Sequence, residues 1–303
     1  MNKVTRLKYY IESLCIYDFE DDDVFSALYD LLCDDEEDTV ALQSYFFKEL
    51  AKSESLKRHI SRLILTNDNI FTKAACAGKV NELSIAVINA VKSDLAKLEE
   101  IASLTAQDIL ADIDDEDIKE ILLTLPGWEV GKPLAPLDSH WDRQLDELIK
   151  YHRENGYGIY AKNIAFTWRD EEITPVNSID PIRLTDLKNY ELQRNKVIDN
   201  TESFIAGHPA NNVLLYGDRG TGKSSTVHAI LNEYWQQGLR MIEIPKSAVA
   251  DLSLIREQIA DSPMKFIIYI DDLSFDSNDT SFSELKAALE GSQTAEYYYI
   301  CNV

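Results

Sequence analysis

The sequence predicts an α + α/β protein, with an all-helical acidic domain over residues 1–124 followed by a parallel sheet flanked by helices. Three observations carry this expectation. Through the first 124 residues the apolar positions recur at three- and four-residue spacing, the period of an amphipathic helix. From residue 187 onward, short apolar runs alternate with helical patterns, the texture of strand–helix–strand units. Those short runs are apolar on both faces, as in the strands of a parallel sheet covered on each side.

The helical half divides into "DVFSALYDLLCDD" (23–35), "DTVALQSYFFKELAKS" (38–53), "SLKRHISRLILTND" (55–68) and "NELSIAVINAVKSDLAKLEEIASL" (81–104). Three acidic runs punctuate it: "DFEDDD" (18–23), "CDDEED" (33–38) and "DIDDEDIKE" (112–120). The third has alternating acids but lacks the turn glycine and the closing glutamate of a calcium loop. All three are expected to be helix starts, where acids interact favourably with the helix dipole.

"TLPGWEVGKPLAPLDSH" holds three prolines and two glycines without a period, so residues 125–140 are expected to be a linker. A helix is expected next over "WDRQLDELIKYHRENG", then a short hairpin or coil over "YGIYAKNIAFTWRDEEITPV", together a connecting region over 141–186. The α/β half, 187–303, reads as a helix over 187–206 and a strand "NVLLY" (212–216), then a helix 222–237 and a strand "RMIEI" (240–244). A helix 251–260, a strand "KFIIYI" (265–270), a helix "FSELKAALEG" (282–291) and a strand "YYYIC" (297–301) complete it.

Gly217-Asp218-Arg219-Gly220-Thr221-Gly222-Lys223-Ser224 fits G-x-x-x-x-G-K-[ST] and stands between an expected strand and an expected helix. That order gives the pattern its chemistry. Glycines let the chain bend so that successive N–H groups and a helix N-terminus point at anionic oxygens. Lys223 brings a point charge to the β- and γ-phosphates, and the Ser224 hydroxyl offers a hard oxygen to Mg²⁺. The expected nucleotide-binding set is Gly217, Asp218, Arg219, Gly220, Thr221, Gly222, Lys223, Ser224 and Ser225. Asp218 and Arg219 fill variable positions and carry no assigned side-chain role.

A metal-bound triphosphate also needs a carboxylate at the end of a neighbouring strand. In "FIIYIDDLSF" five apolar residues lead into Asp271 and Asp272, at the carboxyl edge where α/β sheets bind ligands. Asp271 is the expected Mg²⁺ partner, directly or through water. Asp272 is the expected base that orients the attacking water, so the catalytic pair is Lys223 and Asp272.

"NNVLLYGDRGTGKSS", "FIIYIDDLSF", "AGHPANNVLLYG" and "SELKAALEG" together resemble the bacterial AAA+-type ATP-binding proteins catalogued as domain of unknown function 815, over residues 145–291. The resemblance implies ATP as the nucleotide, AAA+-like assembly, and a sheet with the phosphate-loop strand third from an edge. It places Pro181, Ile182 and Leu184 near the base. It also implies that the chain stops short: "SQTAEYYYICNV" leaves no room for a helical lid, and Asn302 matches the sensor asparagine only loosely. An arginine finger is worth about 10³ to 10⁵ in rate, and Asp272 is one methylene shorter than the usual glutamate. The expectation is ATP or ADP binding with slow hydrolysis, and an apolar sheet surface that needs a protein partner or a second copy.

The formal charge of −23 repels phosphate backbones and argues against nucleic acid. No apolar run is long enough to span a membrane or serve as a signal peptide, so the cytoplasm is the expected compartment. Cys15, Cys33, Cys76 and Cys301 show no C-x-x-C pair, and the five histidines show no metal or triad spacing. Two other function classes stay open: an accessory ATPase of a nucleic-acid loader or helicase, and an interaction protein whose ATPase half has decayed and ignores nucleotide.

Overall fold

Side-chain caps fix where the helices of the N-terminal half begin. The computed structural model describes residues 1–34, 38–52, 55–176, 178–208, 210–260, 262–271, 273 and 297–302. Two compact units emerge, Met1–Arg153 and Glu154–Val303. In the first, α1 (Lys3–Glu12) starts at Asn2, whose side chain accepts the Thr5 N–H. α2 (Asp23–Cys33) starts at Asp22, which accepts from Phe25 N–H at 2.9 Å. α3 (Thr39–Leu50) and α4 (Leu56–Leu65) follow. α5 (Ile70–Cys76) carries a reciprocal cap between Asn69 and Thr72. α6 (Ile85–Ile101), α7 (Ala106–Leu110) and α8 (Glu116–Leu122) are capped by Ser84, Thr105 and Asp115. Such a cap contributes about 0.5–2 kcal/mol. The acidic runs at 18–23 and 112–120 are thus helix starts, through Asp22 and Asp115.

Helix α2 packs against α3, and α1 against α6, around a core that includes Leu7, Leu28, Phe46, Ile60, Phe71 and Leu95. The expected linker departs from its sequence reading. Glu129 and Val130 carbonyls accept the first N–H groups of α4, from Leu56 at 3.0 Å and Lys57 at 2.9 Å. The Trp128 indole donates to Leu104 O at 2.9 Å and packs edge-on to Phe46, while Leu137 and Trp141 are buried. Residues 125–140 therefore complete the helical core, and the unit runs on to Arg153, within α9 (Leu145–Asn155). The reason is apolar area: these turns carry Trp128, Leu134 and Leu137, and Trp141 follows directly, all of which gain from burial.

The second unit opens with α10 (Gly158–Lys162) and the antiparallel hairpin β1 (Ala165–Arg169) and β2 (Glu172–Pro175). Asp170 and Glu171 turn the hairpin with φ of 52° and 62°, the left-handed backbone that two-residue hairpin loops require. Then come α11 (Glu191–Ile205), β3 (Val213–Leu215), α12 (Lys223–Tyr234), β4 (Leu239–Ile244), α13 (Leu252–Ile259), β5 (Lys265–Ile270) and β6 (Tyr297–Asn302). The expected helix over 282–291 lies outside the described residues.

These strands form one six-stranded sheet in the order β2-β1-β4-β5-β6-β3, parallel except for the hairpin. The hairpin extends the sheet through β1, which pairs with β4 at Ala165↔Met241, so the expected connecting region 141–186 is divided between the two units. Side chains alternate along each central strand. Phe266, Ile268 and Ile270 of β5, with Tyr299 of β6, pack on one face against α13; Ile267, Tyr269, Tyr298 and Ile300 pack on the other with residues of α11 and α12.

Strand β3 differs from expectation twice. It closes the sheet order among the described residues, where the family resemblance implied a place third from an edge. It is also not buried on both faces: Leu214 is 58% exposed, and Tyr216 just beyond the strand 81%. Among the described residues only β6 pairs with it, so its other hydrogen-bonding edge is not paired by them.

Candidate functional site

The loop between β3 and α12 takes the conformation its glycines allow. Gly220 and Gly222 have φ of 79° and 83°, and α12 begins directly after Gly222. A Cβ at either glycine would meet no heavy atom within 4 Å, so the backbone angle, not crowding, is what calls for glycine. Thr221 Oγ1 donates to Asp218 O at 2.9 Å and ties the loop's waist. The Lys223 ammonium folds over the loop, donating to Gly217 O at 2.8 Å and Asp218 O at 3.1 Å. Asp218 and Arg219 are exposed, and Ser225 is partly buried in the first turn of α12.

The acidic side of the site comes from the carboxyl ends of β5 and β6. Tyr269 and Asp271 share the β5 face that looks toward α12, because residues two apart on a strand point the same way. The fully buried Tyr269 donates its hydroxyl proton to Asp271 Oδ1 at 2.9 Å. At the end of β6, Asn302 Nδ2 lies 3.2 Å from Ser224 Oγ and 3.3 Å from the Tyr269 hydroxyl, and it also donates to Asp271 Oδ1. Asn302 is 8% exposed, and its Oδ1 finds no hydrogen-bond partner among the described residues. Burial drives the Tyr269 pKa well above the ordinary tyrosine value; the Asp271 carboxylate adds to this, against lowering contacts from Ser224 and Asn302. Its hydroxyl is therefore a neutral donor at physiological pH.

Ser224 and Asp271 thus meet at one end of the sheet, with Lys223 beside Ser224 in the first turn of α12. Asp272 lies outside the described residues. Pro181, Ile182 and Leu184 are not among the residues that line the cavity beside the loop. The carbonyls of Asp180 and Ile182 accept from Asn232 near the far end of α12, at 2.7 and 2.9 Å. A cavity of about 650 Å³ beside the loop is lined instead by the start of α11 and by β3, including Tyr190, Arg194, Val213, Leu215, Thr221 and Lys223. Tyr269 and Asn302 are the residues the sequence reading underweighted. The signal for Tyr269 was a hydroxyl inside an otherwise apolar strand, two positions before an aspartate.

Residues 161–299 match a family model described as Protein of unknown function (DUF815). The match supports a likeness to that family over these residues. The DUF815-like segment takes in the hairpin, the glycine loop, β4 and β5, and stops just short of Asn302. No curated protein matches the chain.

The donors present suit a metal-bound phosphate. A bent glycine loop, a helix N-terminus and an ammonium meet anionic oxygens. One hydroxyl and one carboxylate are the hard oxygen donors that Mg²⁺ prefers, and Mg²⁺ habitually keeps waters and phosphate oxygens for its remaining positions. No cluster of three or more His, Cys, Asp or Glu side chains suited to a metal occurs among the described residues.

Proposed function

We propose that this chain is an AAA+-type ATP-binding protein that takes Mg²⁺-ATP at residues 217–225, with slow hydrolysis. One observation carries the reading: Ser224, at the start of the helix that follows the glycine loop, and Asp271, at the end of a neighbouring strand, meet at a single asparagine amide. The loop and Lys223 bind the phosphates. Ser224 and Asp271 would hold the Mg²⁺, a group that would supply charge neutralisation at the β- and γ-phosphates. Asp272 orients the attacking water, and the nucleotide state is read by a protein partner or a second copy.

Compartment and partner follow from the same reading. Among the described residues no helix is long and apolar enough to cross a membrane. The net charge of −23 argues against a nucleic-acid partner, and we place the protein in the cytoplasm.

Calorimetric titration of the intact chain with Mg²⁺-ATP tests this, with Lys223→Ala beside it. Charged hydrogen bonds are worth about 1.5–3 kcal/mol, so the variant is expected to bind roughly 10- to 100-fold more weakly. Equal binding by the two proteins, or none by the folded wild type, would remove the reading. Turnover above about 1 s⁻¹ that depends on Lys223 would show hydrolysis to be of ordinary enzyme speed.

A further inference from the structure

The sheet face under α12 contains two buried tyrosines whose hydroxyls have different uses. Tyr298 of β6 shares a 2.7 Å hydrogen bond with Thr201 of α11, inside the packed core. Tyr269 of β5 directs its hydroxyl to the site. Its neighbours there are Asp271 Oδ1 at 2.9 Å, Asn302 Nδ2 at 3.3 Å and the Ser224 side chain. Phenylalanine would fill the same volume in "FIIYI" without bringing a polar atom into the interior. A buried hydroxyl costs stability unless it is hydrogen-bonded, and every hydrogen-bond partner identified for this one is a group at the end of the sheet. The ring cannot follow a moving carboxylate, because it is fully buried and lies edge-on to His228 of α12, with centroids 6.4 Å apart.

We propose that Tyr269 is a positioning residue for the metal, holding the Asp271 carboxylate toward Ser224 and so setting the Mg²⁺ affinity of the site. The inference rests on the ATP-binding reading. Asp271 is only partly buried at a strand end, and its Oδ1 takes both the Tyr269 hydroxyl and the Asn302 amide. A fixed donor on one carboxylate oxygen orients the carboxylate before the metal arrives. Outer-sphere partners of this kind typically change metal affinity about 10- to 100-fold. The phenol would act on the metal through Asp271, to which it donates.

The test uses the full chain and ATP at a series of Mg²⁺ concentrations, comparing wild type, Tyr269→Phe, Asp271→Asn and the double variant. Affinity for ATP in excess EDTA is measured on the same proteins, and Mn²⁺ binding in the presence of ATP is followed by electron paramagnetic resonance. Tyr269→Phe is expected to raise the Mg²⁺ midpoint about tenfold and to leave ATP affinity in EDTA unchanged. In the Asp271→Asn background it is expected to add nothing. An unchanged or lower midpoint overturns the assignment, as does an effect that persists in full beside Asp271→Asn. Weaker ATP binding in EDTA as well overturns it too, by assigning the hydroxyl to the fold. Wild-type protein that binds no ATP overturns the inference together with the reading beneath it, whereas wild-type binding with an identical Mg²⁺ response in Tyr269→Phe overturns the inference alone.

Discussion

Asn302 and Ser224 stand 78 positions apart and meet through a 3.2 Å contact between amide and hydroxyl. The same amide donates to Asp271, so the end of β6 joins the first turn of α12 to the end of β5. Removing a hydrogen bond to a charged group costs about 1.5–3 kcal/mol. Asn302→Ala is expected to lower the Tm of the Glu154–Val303 unit by roughly 3–10 °C, as read by calorimetry. Asn302→Asp sets a second carboxylate against Asp271 and is expected to melt lower still than Asn302→Ala, because like charges in contact repel. An equal or higher Tm for Asn302→Asp would mean that the two side chains do not meet.

The left-handed backbone at Gly222 gives a second prediction. An alanine there carries a strain of about 1–2 kcal/mol, with no neighbouring atom to make it worse. Gly222→Ala should therefore melt a few degrees lower than wild type, and Gly222→Asn should recover part of the loss because asparagine tolerates this region. Equal melting of all three proteins would contradict the loop geometry.

The fully buried Asp94 organises the chain between α1 and α2. Its Oδ2 accepts N–H groups from Cys15 at 2.9 Å and Ile16 at 2.7 Å. Asp94→Ala leaves those donors without an acceptor, at about 1–3 kcal/mol each. Asp94→Asn keeps an acceptor and should cost distinctly less. Urea unfolding of the two variants would read the difference, and equal losses would mean that the negative charge matters more than the acceptor.

Acid should weaken the N-terminal unit through Asp22. Burial works to raise this carboxyl's pKa, but hydrogen bonds from the His59 ring and the Phe25 N–H, with the histidine charge, outweigh it and hold the value below the ordinary one. The folded carboxyl therefore titrates below its unfolded value of about 3.9. The resulting stability is complete above that value and is lost as pH falls through the folded one. Asp22→Asn keeps an equally good helix cap and should flatten the acid limb of a stability-against-pH curve below about pH 4. A limb as steep as that of wild type would place the acid sensitivity elsewhere.

Local periodicity made much of this fold legible. The helices over 23–35, 55–68 and 81–104 and the strands over 240–244 and 265–270 are dominated by near-neighbour pattern, and α2, α4, α6, β4 and β5 stand there. Glycine, lysine and serine at fixed spacing showed the loop. What stayed hidden depends on contacts between distant parts of the chain. The pairing of Ala165 with Met241 brings the hairpin into the sheet, and no local signal announces it. "VLL" (213–215) is uniformly apolar whether its neighbours cover it or not, so the exposure of Leu214 could not be read from it. The turns over 125–140 looked like a linker because proline and glycine set the local texture, while Trp128, Leu137 and Trp141 decided where they lie. Asn302 acquires its role only when β6 is placed between β3 and β5.

The strict alternation along β5 makes the site a matter of parity. Odd-numbered positions Ile267, Tyr269 and Asp271 look toward α12, whereas even-numbered Phe266, Ile268 and Ile270 look away. Inserting or deleting one residue upstream in this strand would leave it equally apolar and equally able to pair. It would also turn the tyrosine and the aspartate to the opposite side, leaving a sound sheet that had lost its chemistry.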